Sequence, residues 1–197
     1  MAYIGKVPTA VPLTSADIQD GTIALADLSA TGTKDATTFL RGDNTFASAG
    51  GNMTPAFYAR LSSDQLISNV TNTLVQFDTE IFDTNSAYDN STNYRFTVPS
   101  GEAGRYFLFT TALVRMSVTG KFIIIKFFKN GAEFGKFANQ TGVNTDSDLS
   151  GSIQIVDDAS VGDYYDVRIY HNDGGTRTIT GHATRHISVF GAYKIIE

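Results

Sequence analysis

The chain has 197 residues, 42 % of them hydrophobic and 12 % aromatic, and a formal net charge of -5. That is enough for one domain with a sizeable core plus an extension, and too acidic for a chain built to neutralise phosphates, so nucleic acid is excluded as a partner. There is no cysteine, which excludes a disulfide scaffold, a cysteine zinc site and a thiol nucleophile; MAYIGKVPTAVPLT shows no apolar h-region of a signal peptide, and no apolar run reaches the roughly 18 residues of a membrane-inserted helix.

Residues 1–54 read as an extended arm and linker. They are rich in Thr, Ala, Asp, Ser and Gly, and Gly21, Gly32 and Gly42 break any long element. Such a segment cannot bury enough apolar surface to fold alone and becomes ordered by docking on something else. Ala47 to Asn52 is a joint of small residues. Residues 55–197 form the second domain. Strands are predicted at Ala56–Leu61, Leu66–Ile67, Thr73–Asp78 and Glu80–Asp83, and Asn85–Asn93 is a polar loop. Tyr94–Val98 alternates apolar and polar residues, the mark of a strand with one wet face. Pro99–Gly104 is a corner, and Tyr106–Val114 is a strand that is apolar on both faces. Lys121–Phe128 runs into Asn130-Gly131, the signature of a type I′ hairpin, so Ala132–Asn139 should return antiparallel. Asp148–Val156, Asp163–Tyr170 and His186–Ile196 complete about ten strands, with no helical periodicity.

The surplus apolar face of Tyr106–Phe109 and of Phe122–Phe128 would be a large exposed patch in a monomer, which a threefold assembly removes from water. Expected interface residues are Tyr106 and Leu108 on the doubly apolar strand, and Phe190, Tyr193 and Ile195 on the last one. No catalytic residues emerge: there is no Gly-x-Ser-x-Gly elbow and no nucleophile–base set, so the chain reads as a non-enzyme. His182 and His186, placed on a strand, would stand roughly 13 Å apart, too far for one ion. Arg41-Gly42-Asp43 reads as a turn rather than an adhesion tripeptide.

Phe77-Asp78, then Tyr94-x-Phe96-x-Val98-Pro99, Gly104-x-Tyr106-Phe107, Val161-Gly162-Asp163-x-x-x-Val167 and the terminal Phe190-Gly191-Ala192-Tyr193-x-Ile195 resemble the trimeric jelly roll of complement globular heads and tumour necrosis factor. The resemblance spans about residues 55–197 and departs from the family at Pro99–Gly104, a longer corner than usual. It implies an all-β, ten-stranded antiparallel jelly-roll β-sandwich, homotrimeric, behind an extended N-terminal arm. Some related jelly rolls bind calcium near the trimer apex, so calcium is the one cofactor left open, on carboxylates such as Asp146, Asp148, Asp157, Asp158, Asp163 and Asp166.

The arm carries a second resemblance. Asp20-Gly21-Thr22-Ile23, Ala26-Asp27-Leu28-Ser29 and Ala36-Thr37-Thr38-Phe39-Leu40-Arg41-Gly42-Asp43-Asn44-Thr45-Phe46 look like the linkers of bacteriophage fibre and virion surface proteins. The opening MAYIGK-x-P is similar to short structural proteins of marine phages. This implies a virion protein made in the host cytoplasm: a trimeric capsid decoration protein or short head fibre, placed on the virion surface. Its arm would dock on the major capsid protein or another virion protein through Tyr3, Ile4, Val7, Pro8, Val11, Pro12 and Leu13, then Ile18, Ile23, Leu25 and Leu28, then Phe39 and Leu40. The alternative is a tail fibre or adhesin that recognises a host surface receptor, glycan or protein, through the loops Asn85–Asn93, Gly142–Leu149 and Asn172–Thr178.

Overall fold

The computed structural model describes residues 29–36, 38–48, 53–140 and 148–195. The chain divides into two compact units, Met1–Gly50 and Gly51–Glu197. In the first, β1 (Thr38–Leu40) and β2 (Phe46–Ser48) pair antiparallel. Thr31 bridges Thr45, the Phe46 N–H donating to the Thr31 carbonyl at 2.7 Å. The described part of the arm is therefore a closed hairpin rather than an extended strand. Local hydrogen bonds close it: Asp43 Oδ1 accepts from Thr45 N and Thr45 Oγ1, and Thr38 Oγ1 donates to the Thr33 carbonyl. Gly32, at φ +92°, sits where a Cβ would lie 2.3 Å from the Phe46 carbonyl oxygen, so only glycine permits this close approach.

In the second unit, thirteen described strands build two antiparallel sheets, against about ten expected. One six-stranded sheet runs β11 (Ala132–Gln140), β10 (Phe122–Lys129), β13 (Tyr164–His171), β8 (Arg95–Thr97), β7 (Tyr88–Asp89), with β5 (Thr73–Leu74) also on β13. The other, seven-stranded, runs β4 (Gln65–Ile67), β14 (Arg177–Ile179), β9 (Gly104–Arg115), β15 (Val189–Lys194), β3 (Ala56–Arg60), β6 (Thr79–Asp83), with β12 (Asp148–Ala159) along the whole length of β9. The two unexpected strands, β7 and β14, are two and three residues long; β7 falls inside the expected loop Asn85–Asn93 and β14 begins inside the expected loop Asn172–Thr178. Elements this short show no alternation that a sequence reading can detect.

The sheets face each other over one core. Ile123, Ile125, Phe127, Tyr165, Val167 and Phe96 enter it from the first sheet, and Phe57, Tyr106, Leu108, Val114 and Phe190 from the second. Phe190 is its hub: its ring lies 4.9 Å edge-on from Phe57 and within 6 Å of Phe77, Tyr88 and Phe127. The predicted hairpin is present, with Asn130 at φ +52° and Gly131 at φ +83°. Asn130 is clamped from outside, its Nδ2 donating to Asp163 and its Oδ1 accepting from Tyr164 N. The unusually long corner is tied down too: Glu102 N donates to the Pro99 carbonyl, the Glu102 carbonyl accepts from Tyr106 Oη, and the Glu102 carboxylate meets Lys194 Nζ at 3.2 Å.

Phe190 is fully buried among the rings of the core. Phe190→Ala is therefore expected to lower folding stability by about 3–5 kcal/mol, read as a shift of the urea midpoint at unchanged slope; a loss below ~1 kcal/mol would contradict its place as the hub.

Candidate functional site

The two sheets differ most on the faces turned away from the core. On the outer face of the seven-stranded sheet, pairing sets Phe82 (β6), Tyr58 (β3), Gly191 (β15), Phe109 (β9) and Gln154 (β12) side by side in one row. The next outward row holds Ala56, Tyr193, Phe107 and Val156. The rings touch along and between rows: Tyr58 lies 6.3 Å from Phe82 and 6.0 Å from Phe109, and Phe107 lies 6.0 Å from Phe109 and 5.3 Å from Tyr193. His186 stacks on Tyr58 at 5.3 Å, and its Nδ1 is 3.0 Å from the Tyr58 hydroxyl. Gly191 makes the row possible: a Cβ there would sit 2.4 Å from Phe109 Cζ and 3.0 Å from the Phe57 carbonyl oxygen. Because Gly191 has no side chain, the Phe109 ring reaches over β15 at that point. A shallow groove of about 600 Å³ runs beside it, lined by Phe107, Phe109, Thr111, Ser152 and Gln154. No residue in either row is charged; the Arg105–Asp158 ion pair (2.9 Å) closes one margin and Arg60 stands at the other.

The outer face of the six-stranded sheet has the opposite character. Lys126 pairs with Glu133 at 2.7 Å and lies over the Tyr170 ring, and Arg168 pairs with Asp166 at 2.7 Å and lies over the Phe128 ring at 4.1 Å. The second apolar face expected on Phe122–Phe128 is thus covered in part within the protomer, at Phe128, by a stacked cation. Charges dominate there, and apolar rings dominate on the other sheet.

The expected interface residues separate accordingly. Tyr106, Leu108 and Phe190 are 0 %, 1 % and 0 % exposed and point into the protomer's own core, which corrects their assignment to a subunit contact. Tyr193 is on the outer face, and Ile195, half-buried, follows β15 with its N–H on the Arg105 carbonyl. The strand was read correctly as doubly apolar, but the opposite parity faces out: Phe107 and Phe109 rather than Tyr106 and Leu108. The signal was present in Arg105 and Arg115, which cap the strand, are exposed, and share parity with Phe107 and Phe109. Tyr58 and Phe82 were missed, because their strands are short and each carries apolar residues at both parities.

Of the expected anchoring residues, Phe39 and Leu40 are exposed on the hairpin, at 61 % and 49 %; Tyr3, Ile4, Val7, Pro8, Val11, Pro12, Leu13, Ile18, Ile23, Leu25 and Leu28 lie outside the described residues. Arg41 and Asp43 face each other at 3.5 Å and Asp43 is held by Thr45, so this Arg-Gly-Asp is turn chemistry. His182 and His186 sit in an irregular segment rather than on a strand. His182 Nδ1 accepts from the N–H groups of Thr184 and Arg185, while His186 serves Tyr58.

Among the described residues, no three metal-ligating side chains gather. Asp157 and Asp163 converge instead on Lys129 Nζ, at 2.7 and 3.0 Å, and Tyr165 Oη donates to Asp157. Burial alone pulls Lys129 down, but its hydrogen bonds to the two carboxylates outweigh this and raise its pKa. Burial first, and then the bond to Asp157, raises the Tyr165 phenol. Of the three loops expected to carry recognition, Asn85–Asn93 is locked by Asp89, whose carboxylate accepts from the backbone of Ser91, Thr92 and Asn93 and is held well below the usual range. Residues 141–147 lie outside the described residues. Within Asn172–Thr178, Asp173 is buried and bonded to Arg177 and to Ser117 N.

No family model matches the chain, and no curated protein matches it. Among solved structures, it is similar to Eiger TNF from S. frugiperda, with a TM-score of 0.53 at 12 % identity over 71 % of this chain and 91 % of that one. It is also similar to the globular domain of the zebrafish complement 1qA protein, with a TM-score of 0.47 at 17 % identity over 72 % of this chain and 96 % of that one. The likeness to the first of these and the two antiparallel sheets define the fold as an all-β jelly-roll sandwich, as the sequence implied.

His171, fully buried at the end of β13, gives this fold an acid sensitivity. Its Nε2 faces the Ile67 carbonyl and its Nδ1 accepts from Asp173 N, so the neutral ring fits; Asp173 and Arg177 are the charged groups beside it. Burial lowers its pKa from 6.5, and the unfolded chain therefore takes up the proton first. Stability is full above about pH 6.5 and falls as pH drops toward the lower folded value. His171→Gln should flatten this part of the stability–pH curve and leave the carboxylate region unchanged; an unaltered slope in the variant would contradict the assignment.

Proposed function

We propose that the chain is a homotrimeric, non-enzymatic knob carried on an N-terminal arm, and that it serves as a bacteriophage virion surface protein. The observation that carries the trimer is the uncharged aromatic face of Tyr58, Phe107, Phe109 and Tyr193, beside a second sheet whose outer face carries the Lys126–Glu133 and Arg168–Asp166 ion pairs. An apolar centre with Arg60, Arg105 and Asp158 at its margin is the composition of a subunit contact. Burying such a face between copies gains about 25 cal/mol per Å². The occupant is a second and third copy of this chain, in keeping with a sandwich of the tumour-necrosis-factor type.

The arm supports the virion reading. Residues 36–46 follow the pattern of phage fibre linkers, and their hairpin leaves Phe39 and Leu40 uncovered, available to a docking partner. Three tethered arms on a symmetric site hold far more firmly than one. A capsid decoration protein or short head fibre fits a sequence in which no shaft of repeats or heptads separates the arm from the knob. The major capsid protein, or another virion protein, is the docking partner in this reading.

Two measurements check it. Phe109→Lys places a charge in the middle of the aromatic row and is expected to convert the assembly into monomers in sedimentation velocity, whereas Val161→Lys, in an exposed turn, leaves it intact. A Phe109→Lys chain that sediments like the native one refutes the interface. Deleting residues 1–50 should leave the trimer whole and abolish its attachment to phage particles; particles that still retain the shortened chain would remove the arm from its anchoring role.

A further inference from the structure

On the side of the second unit where β4 and β5 approach Tyr94, a pocket of about 490 Å³ opens between Ser63, Asp64, Leu66, Gln76, Asp78 and Tyr94. Its polar groups are fixed before any ligand arrives. Asp78 accepts from Ser62 N at 2.8 Å and Ser62 Oγ at 2.6 Å, and Asp64 accepts from Gly181 N at 3.1 Å. Gln65, in the same wall, ties the two sides together, its Nε2 donating to the Leu74 carbonyl and its Oε1 accepting from Gln76 N. The apolar part is as definite. Leu66 is 69 % exposed at the rim, and Tyr94 is held at φ +49°, a left-handed conformation that aromatic residues rarely adopt and that recurs at ligand sites.

We infer that this pocket binds a neutral saccharide unit. A pyranose ring presents hydroxyl groups around its edge and C–H groups on its faces. Fixed carboxylates with free lone pairs, a carboxamide and a serine hydroxyl receive the first, and a tyrosine and a leucine receive the second. The volume falls within the range of small-ligand pockets. Charge sets the specificity: two carboxylates line the pocket and no basic residue does, Arg115 being engaged with Asp64 from outside at 3.4 Å. Neutral hexoses and N-acetylhexosamines are admitted; phosphates and acidic sugars are repelled. The pocket belongs to one protomer and does not depend on the trimer or on the virion reading.

The test is saturation-transfer NMR and calorimetric titration of the full chain with glucose, galactose, mannose, N-acetylglucosamine and, as the anionic arm, N-acetylneuraminic acid. At least one neutral sugar is expected to bind, and the acid is not. Tyr94→Gly removes the aromatic wall while relieving the left-handed backbone, so binding should weaken about tenfold with the melting temperature kept or raised. Gln76→Ala, whose side chain is exposed, should weaken binding without unfolding. Phe109→Lys should bind as the native chain does, which separates failure here from failure of the trimer. Absence of binding by every neutral sugar, preference for the acidic one, or unchanged affinity in Tyr94→Gly overturns the inference.

Discussion

Strand β9 is the constraint on which the knob depends. It is twelve residues long, pairs with β12 over its full length, and on its other edge pairs with β15 and then β14. That ladder fixes its register, and in a strand register decides which parity faces which way. With Tyr106, Leu108, Ala112 and Val114 turned inward, the sandwich closes around Phe190. With Phe107 and Phe109 turned outward, one sheet acquires an aromatic surface that no charged residue interrupts. A slip of one residue would exchange the two sets and turn Arg105 and Arg115 toward the core.

Much of this was legible in the sequence, and specific residues explain the remainder. The strand-rich architecture, the Asn130-Gly131 hairpin and the corner at Pro99–Gly104 follow from alternation and turn chemistry. The double apolarity of Tyr106–Phe109 announced a second buried face, but not which residues would occupy it, since neither parity of that segment is polar. Arg105 and Arg115 resolve the parity once the whole strand is counted. On Phe122–Phe128 the same reasoning overshot: Lys126 lies over Tyr170 and Arg168 over Phe128, contacts between strands far apart in sequence that no local pattern encodes. The pairs of Lys129 with Asp157 and Asp163 were hidden for that reason too.

The division of labour between the two outer faces gives the molecule its functional logic. A charged, self-paired face suits solvent. An aromatic face with a glycine-made saddle at Gly191 suits a close, dry contact. The polar pocket at Tyr94 lies apart from both, at the edge where the short strands leave the sandwich open. In the proposed reading, assembly and ligand binding would occupy separate surfaces of one scaffold, and the arm, with its own small hairpin, would supply attachment.

The account stands on the aromatic face being buried between copies of this chain. Native mass measurement of the unaltered protein across a dilution series tests that most directly. The result expected is a species of three times the 21.3 kDa chain mass that persists at micromolar concentration. A stable single chain at that concentration would leave Tyr58, Phe107, Phe109 and Tyr193 facing water and contradict the account.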